Sequence, residues 1–321
     1  MATQQATIPV IDLSPLGNGA KAVQAVAAEV RRASVDPGFF FVTGHTVRQD
    51  TIERALRTAE SFFALDESQK KAFSVNRNHR GYIGFGSANM YGKNLPDLKE
   101  SFKWANELSE HDPDVRNGVP LLGPNQWPDC LPELRERGYV LYLEMIRVAQ
   151  QVLRLIAIAL NVPEDTFLQH YRKPLARGGF LHYPAQPASA DPNQYGVAPH
   201  TDYGVLTVLW QDRNGGLEVQ TADGSWIPAR PIENTFVINI GDLLQRWTND
   251  RYVSNPHRVV NRSGNERYSI VLNYDPDPGT MVDPAELALP EGMAAKYPPI
   301  ACADYIKLRF DEAFDYSSAA A

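Results

Sequence analysis

What most limits the folds open to this chain is the punctuation of its second half. From about Arg177 onward, short β-favouring runs alternate with turn signals: 180–183, 204–210, 216–220, 226–229, 235–240, 258–261 and 268–274. Asn214-Gly215 and Asp223-Gly224 are hairpin dipeptides, because both residues of such turns tolerate positive φ. A parallel α/β sheet needs a helix-length crossover between successive strands, and these runs lie too close together for that. They predict an antiparallel sandwich or jelly roll, mainly β with flanking helices.

The first half has a different texture. Ile8 to Leu13 reads as an edge strand, and Gly38 to His45 as a buried one whose terminal His45 is structural. A helix is expected over 20–33, with Val23, Val26 and Val30 on one face. Asp50 followed by Glu53 has the pattern of a capping box, with Ile52, Leu56, Ala59 and Phe63 at helical spacing behind it. Pro132 opens the longest helix, to about Leu160. Tyr139, Tyr142, Ile146, Ala149, Leu153, Ile156 and Leu160 form its core-facing stripe, so the tyrosines there need no chemical role. From Ser74 to Asn125 the pattern breaks up around Arg80-Gly81-Tyr82, Tyr91 and 97–102; this stretch is either a pocket wall or packed loop. No Walker lysine follows its glycines, which speaks against a phosphate loop. Pro276, Pro278, Pro298 and Pro299 and a helix over 303–314 close the chain. The expectation is one domain, 1–321: a mainly helical region over 1–172, a jelly-roll core over 176–277 and a helical return over 278–321.

Composition narrows the partners. With 321 residues, 43% hydrophobic and 21% charged, the chain can bury a large core. A formal net charge of -7 argues against nucleic acid or an anionic membrane as a partner. Cys130 and Cys302 stand alone, so neither a disulfide framework nor a zinc ribbon is expected. The most apolar stretch, Val152 to Val162, is too short for a bilayer and is interrupted by Arg154. The first residues lack the basic and apolar regions of a secretion signal. A cytoplasmic protein acting on a small molecule, without an obligate protein partner, is the expectation.

Chemistry concentrates at Pro199-His200-Thr201-Asp202-Tyr203-Gly204. On a strand, His200 and Asp202 would leave the same face. Such a triplet alone is more often a solvated or structural pair than a ligand set. His257, further on, can supply a third ligand. Two imidazoles and one carboxylate on one side of an iron ion leave its other positions open, as in non-haem Fe(II) oxygenases. Ten residues beyond, Arg267 and Ser269 would share a strand face and hold a carboxylate, with the Tyr183 hydroxyl from a neighbouring strand. His182 then points the other way, into the core.

These landmarks occur in an order that resembles the isopenicillin N synthase-like branch of the Fe(II)/2-oxoglutarate-dependent oxygenases. The resemblance runs through Ile8 to Leu13, Gly38-Phe39-Phe40, Arg80-Gly81-Tyr82, 123–128, His182-Tyr183-Pro184 and 200–204. It continues through 215–219, 241–244, His257-Arg258-Val259 and Arg267-Tyr268-Ser269. It implies a double-stranded β-helix core wrapped by N-terminal and C-terminal helices. It also implies Fe(II) on His200, Asp202 and His257, with 2-oxoglutarate on Arg267, Ser269 and Tyr183. O₂ would be the oxidant, and ascorbate a reductant. Oxidation of a substrate C–H bond (hydroxylation, desaturation or cyclisation) would accompany release of succinate and CO₂. One departure stands out. Relatives often carry an arginine and large apolar residues before the His-Tyr-Pro, whereas this chain has Gly178-Gly179-Phe180-Leu181, with Arg177 out of register. Three alternatives remain: an Fe(II) oxidase or oxidative cyclase of the same fold that does not use 2-oxoglutarate, a zinc hydrolase, and a non-catalytic jelly-roll binding module. The absence of H-E-x-x-H weighs against the hydrolase.

Overall fold

The run Phe39-Phe40-Phe41-Val42 alternates between two environments, and that alternation lays out the molecule. Phe40 and Val42 pack with the helices, while Phe39 and Phe41 face the space between two sheets. A strand covered on both faces reads as continuously apolar. The computed structural model describes residues 7–86, 95–187, 191, 193–287, 289 and 291–313. Tyr91 and Phe314 lie outside the described residues, as does the start of the chain.

In chain order the elements begin with β1 (Val10–Asp12), α1 (Ala20–Val35), β2 (Phe39–Thr43), α2 (Gln49–Phe63), α3 (Glu67–Lys71), β3 (Gly81–Ile83) and β4 (Glu100–Ala105). Next come α4 (Pro113–Arg116), α5 (Tyr139–Ala159), β5 (Arg177–Tyr183), β6 (Val197–His200), β7 (Leu206–Gln211), β8 (Leu217–Gln220), β9 (Trp226–Pro228) and β10 (Phe236–Ile240). The chain continues through α6 (Asp242–Trp247), β11 (His257–Val259), β12 (Arg267–Tyr274), β13 (Met281–Val282), β14 (Ile300–Ala301) and α7 (Cys302–Ala313).

Eight strands form the larger sheet in the order β1-β2-β10-β7-β12-β5-β4-β3, and four form the smaller, β6-β11-β8-β9. The larger sheet buries one face against α1, α2 and α5 and turns the other toward the smaller sheet. Ile270, Leu272 and Tyr274 of β12 therefore join the helix-side core, while Arg267, Ser269 and Val271 face inward. This is the double-stranded architecture expected of a jelly roll, with its interior free for a site.

Several local expectations change. The stretch around 74–125 is not simply loop: β3 and β4 extend the larger sheet beside β5. Their polar residues disguise them. On β4, Phe102 and Trp104 turn to the helix side, and so does Glu100, which is buried at 2% exposure. Glu100 accepts from Lys70 Nζ at 2.7 Å and Tyr82 Oη at 2.6 Å, and pairs with His182 Nδ1 at 2.8 Å. His182 is stacked on Tyr268 and packed against Phe63, a core histidine. Asp50 does not cap α2, which starts behind Arg48; its carboxylate is drawn instead to Arg48 and Arg54. The reciprocal capping box forms one helix later, between Asp66 and Gln69 of α3. Asn214-Gly215 closes no hairpin. It carries the chain from β7 in one sheet to β8 in the other, whereas Asp223-Gly224 does join the paired strands β8 and β9. The long helix keeps its stripe but opens with a π-turn over Leu134–Gly138 before α5. His45 is buried with its ring 4.5 Å from that of Phe236.

The Glu100 cluster makes a stability prediction. Burial pushes its carboxyl up, but the hydrogen bonds from His182, Lys70 and Tyr82 outweigh this and hold it below its ordinary value. A carboxylate depressed in the folded state stabilises above its unfolded pKa of about 4.3, and that contribution is lost as pH falls through the lower folded value. Glu100→Ala is expected to cost about 3–5 kcal/mol at neutral pH by leaving the Lys70 ammonium buried without its partner. Urea unfolding measures this, and a second Lys70→Met change should restore much of the loss.

Candidate active site

β6 and β11 lie side by side in the smaller sheet, with His200 opposite His257. That register brings the two imidazoles together, their ring centroids 4.2 Å apart. Asp202 is not on the same strand as His200. β6 ends at His200, and Asp202 follows in the turn beyond it. The turn nonetheless aims its carboxylate at both rings: Asp202 Oδ1 lies 3.9 Å from His200 Nε2 and 3.9 Å from His257 Nε2. One donor atom from each residue falls within 4.8 Å of the other two. An ion about 2.1 Å from each donor reaches two of them when they are less than about 4.2 Å apart. Both pairs with Asp202 meet that limit, and with all donors within 4.8 Å of one another the imidazoles need approach each other by at most about 0.6 Å.

The surroundings orient each donor. His200 Nδ1 lies 2.9 Å from the Ala198 carbonyl, which takes the proton and leaves Nε2 with its lone pair toward Asp202. The outer oxygen of Asp202, Oδ2, accepts from Thr207 Oγ1 and from Asn239 Nδ2 at 2.7 Å, leaving Oδ1 for an ion. Asn273 Nδ2 in turn donates to Thr207 Oγ1 at 3.0 Å. Burial, then the nearby His257, push the His200 imidazole well below its ordinary pKa. Burial acts upward on Asp202, but the two imidazoles and its hydrogen bonds outweigh it and hold the carboxyl low. A neutral imidazole beside an ionised carboxylate is the protonation state a metal needs.

Asp242 at the start of α6 ties the two ligand segments together. It accepts from Thr201 Oγ1 at 3.1 Å, between His200 and Asp202, and from Ser254 Oγ at 2.7 Å, three residues before His257. Gly204 permits another close approach, since a Cβ there would fall within 1.9 Å of the Asp275 carboxylate. Asp275 accepts from Val205 N at 2.7 Å and pairs with Arg177 at 2.6 Å.

A cavity of about 150 Å³ runs inward from the triad between the two sheets, and Tyr183, Arg267 and Ser269 line its wall. Arg267 is 1% exposed, with its guanidinium 4.6 Å from the Tyr183 ring centroid. It donates to the Gly215 carbonyl, to Gln211 Oε1 at 3.3 Å and to Ser269 Oγ at 3.5 Å. It has no carboxylate partner among the described residues. A buried cation satisfied only by neutral acceptors is a ready anion site.

A second cavity of about 120 Å³ adjoins the first and shares Lys99, Lys103, Leu181, His200, Asp202 and Asn273 with it; Arg177 reaches this second one. Arg177, although displaced along the strand from the position relatives use, still reaches the interior. It faces inward with Leu181 and Tyr183, two and three strand repeats along β5. The glycines beside it have a packing cause: a Cβ at Gly178 would meet Trp104 and Tyr142 at 2.8 Å, and one at Gly179 would meet Lys103. Sequence reading overlooked Thr207, Asn239 and Asn273 as supports. The available signal was a polar side chain inside an otherwise apolar run, as in Leu206-Thr207-Val208 and Ile238-Asn239-Ile240.

Comparison with known proteins agrees with this geometry. A family model described as the N-terminal region of the non-haem dioxygenase in morphine synthesis matches residues 8–130, and one for the 2OG-Fe(II) oxygenase superfamily matches residues 163–276. The 2-oxoglutarate-Fe(II) type oxidoreductase hxnY of Emericella nidulans is 35% identical over 324 residues, covering 97% of this chain and 91% of that protein. Among solved structures, full-length Neurospora crassa T7H in complex with alpha-KG superposes with a TM-score of 0.84 at 28% identity, over 97% of this chain and 98% of that one. T7H with both alpha-KG and thymine gives a TM-score of 0.82 at 27% identity, over 97% and 98% of the two chains.

Proposed function

This chain belongs to the 2-oxoglutarate–Fe(II) oxygenase superfamily and is an Fe(II)/2-oxoglutarate-dependent dioxygenase; we propose that it oxidises a C–H bond of a small organic molecule, using the residues gathered around His200. In this proposal His200, Asp202 and His257 hold the iron. Arg267, with Ser269 and Tyr183, takes the distal carboxylate of 2-oxoglutarate. The observation that carries the proposal is the buried Arg267 guanidinium, which has no carboxylate partner among the described residues and lines the same cavity as the triad. Bound iron supplies a centre at which O₂ and the 2-oxo acid react.

The overall change balances as substrate R–H, O₂ and 2-oxoglutarate giving R–OH, succinate and CO₂. One oxygen atom goes to the product and the other to succinate. The protein's own residues do the positioning. The Ala198 carbonyl holds the His200 tautomer, Thr207 and Asn239 hold the Asp202 carboxylate, and Asp242 keeps the two ligand segments in register. The apolar walls of the cavity, Leu209, Leu217 and Val259 among them, would limit the water around a bound ion. A small-molecule substrate is supported by the thymine complex of the similar T7H. Residues 1–321 act as one oxygenase unit, with β1 to β4 of the first half completing the sheet that backs the site. No helix among the described residues is long and apolar enough to cross a membrane, and we assign the protein to the cytoplasm.

The test is succinate production by iron-loaded protein under air. Release should require both Fe(II) and 2-oxoglutarate and be stimulated by substrates screened for coupling. Consumption of O₂ without 2-oxoglutarate would instead favour an oxidase of the same fold.

A further inference from the structure

The cavity bounded by Arg177 and Phe310 holds a lysine with no carboxylate within ion-pair distance among the described residues, and that lysine also borders the neighbouring Arg267 cavity. Three cationic side chains reach the first of these cavities: Lys99, Lys103 and Arg177. Two are already matched. Lys99 Nζ lies 3.0 Å from Asp97 Oδ2, and Arg177 lies 2.6 Å from Asp275. Lys103 makes no hydrogen bond or ion pair among the described residues. Asp202 is the remaining acid on the wall, and its free oxygen is turned to the two imidazoles.

Lys103 is placed there by a local device. It stands on the inward face of β4 directly across from Gly179 of β5. A Cβ at 179 would come within 2.6 Å of Lys103 Cδ and 3.1 Å of Nζ. The glycine therefore opens the channel along which the lysine stem lies, and any larger residue would displace it. Burial, followed by the neighbouring Lys99 and Arg177, pushes the ammonium down to about 7. The charged form is unfavourable in such a place, although the Asp202 carboxylate acts the other way, and an anion brought by a ligand would favour it.

We propose that Lys103 binds a carboxylate on the primary substrate, making small organic acids the substrate class of this enzyme. The inference rests on the dioxygenase assignment of the site and refines it. The anion sits over the Gly179 segment between β4 and β5. The apolar body of the substrate then rests on Ile83, Leu181 and Phe310, which line the same cavity. Arg177 and Lys99 stay with their own carboxylates, and Lys103 supplies the charge-assisted contact.

The experiment uses the full chain loaded with Mn(II), a redox-quiet stand-in for iron, and saturating 2-oxoglutarate. Calorimetry then compares acids with their primary amides: benzoate with benzamide, phenylacetate with phenylacetamide, and hexanoate with hexanamide. At least one acid should bind about tenfold or more tightly than its amide. Lys103→Met should reduce that preference to less than about threefold, while Lys103→Arg retains part of it. Thermal unfolding provides the control, because removing an unmatched buried charge should leave the protein at least as stable as before. Three results would overturn the proposal: no acid preferred over its amide, a preference that survives Lys103→Met, or a variant that loses 2-oxoglutarate affinity instead. Failure of the dioxygenase assignment itself looks different, since the wild-type protein would then show no Mn(II)-dependent 2-oxoglutarate binding at all.

Discussion

Asp202→Ala is expected to abolish iron-dependent turnover, lowering succinate formation by on the order of 10³-fold or more. The reason is geometric. Asp202 Oδ1 lies 3.9 Å from both His200 Nε2 and His257 Nε2, so its loss leaves the two imidazoles without the carboxylate that would help them hold a divalent ion. The metal content of protein reconstituted without oxygen should fall in parallel, a readout independent of turnover. The fold should survive, because the loss is confined to local hydrogen bonds: Thr207 and Asn239 lose a partner, and Asn273 can still reach Thr207. Full iron content with unchanged succinate release would remove Asp202 from the site.

Arg267→Leu is expected to act on the co-substrate instead of the metal. Losing one partner of a buried, hydrogen-bonded charge pair typically costs 2–5 kcal/mol, so the KM for 2-oxoglutarate should rise about thirtyfold or more. Iron affinity should stay close to wild type, since Arg267 touches none of the three ligands and contacts Gly215, Gln211, Ser269 and the Tyr183 ring. Arg267→Lys should recover only part of the affinity, because a point ammonium cannot reproduce the planar fork. An unchanged KM for 2-oxoglutarate in both variants would show that the carboxylate binds elsewhere and that this guanidinium is merely structural.

The parts of the site visible in the sequence were those with a local signature. His200-Thr201-Asp202 is a contiguous motif, and Arg267 and Ser269 keep a two-residue spacing that a strand turns into a common face. His257 could be found because ligands of one ion are few and the next suitable histidine follows after several strands. The supports were harder to see. Thr207, Asn239 and Asn273 come from three strands that are adjacent in the sheet but far apart along the chain. Lys103 was hidden for another reason. It belongs to a strand whose polar residues, Glu100, Ser101 and Lys103, break the apolar alternation from which strands are recognised. Each of these residues has a specific interior environment, and none has a sequence neighbour that reveals it.

Alternation of side chains and turn residues, both properties of short stretches of backbone, were enough to determine a β core flanked by helices and to bring out the three ligand candidates. Tertiary structure alone decided that Asp202 reaches the imidazoles from a turn and not from a strand, that Arg177 faces inward, and that Lys103 stands over Gly179 with no ion pair among the described residues. The difference is one of range. Backbone periodicity is set by steric contacts between neighbouring residues, whereas the charge balance of a cavity depends on which distant strands the folded sheet places side by side.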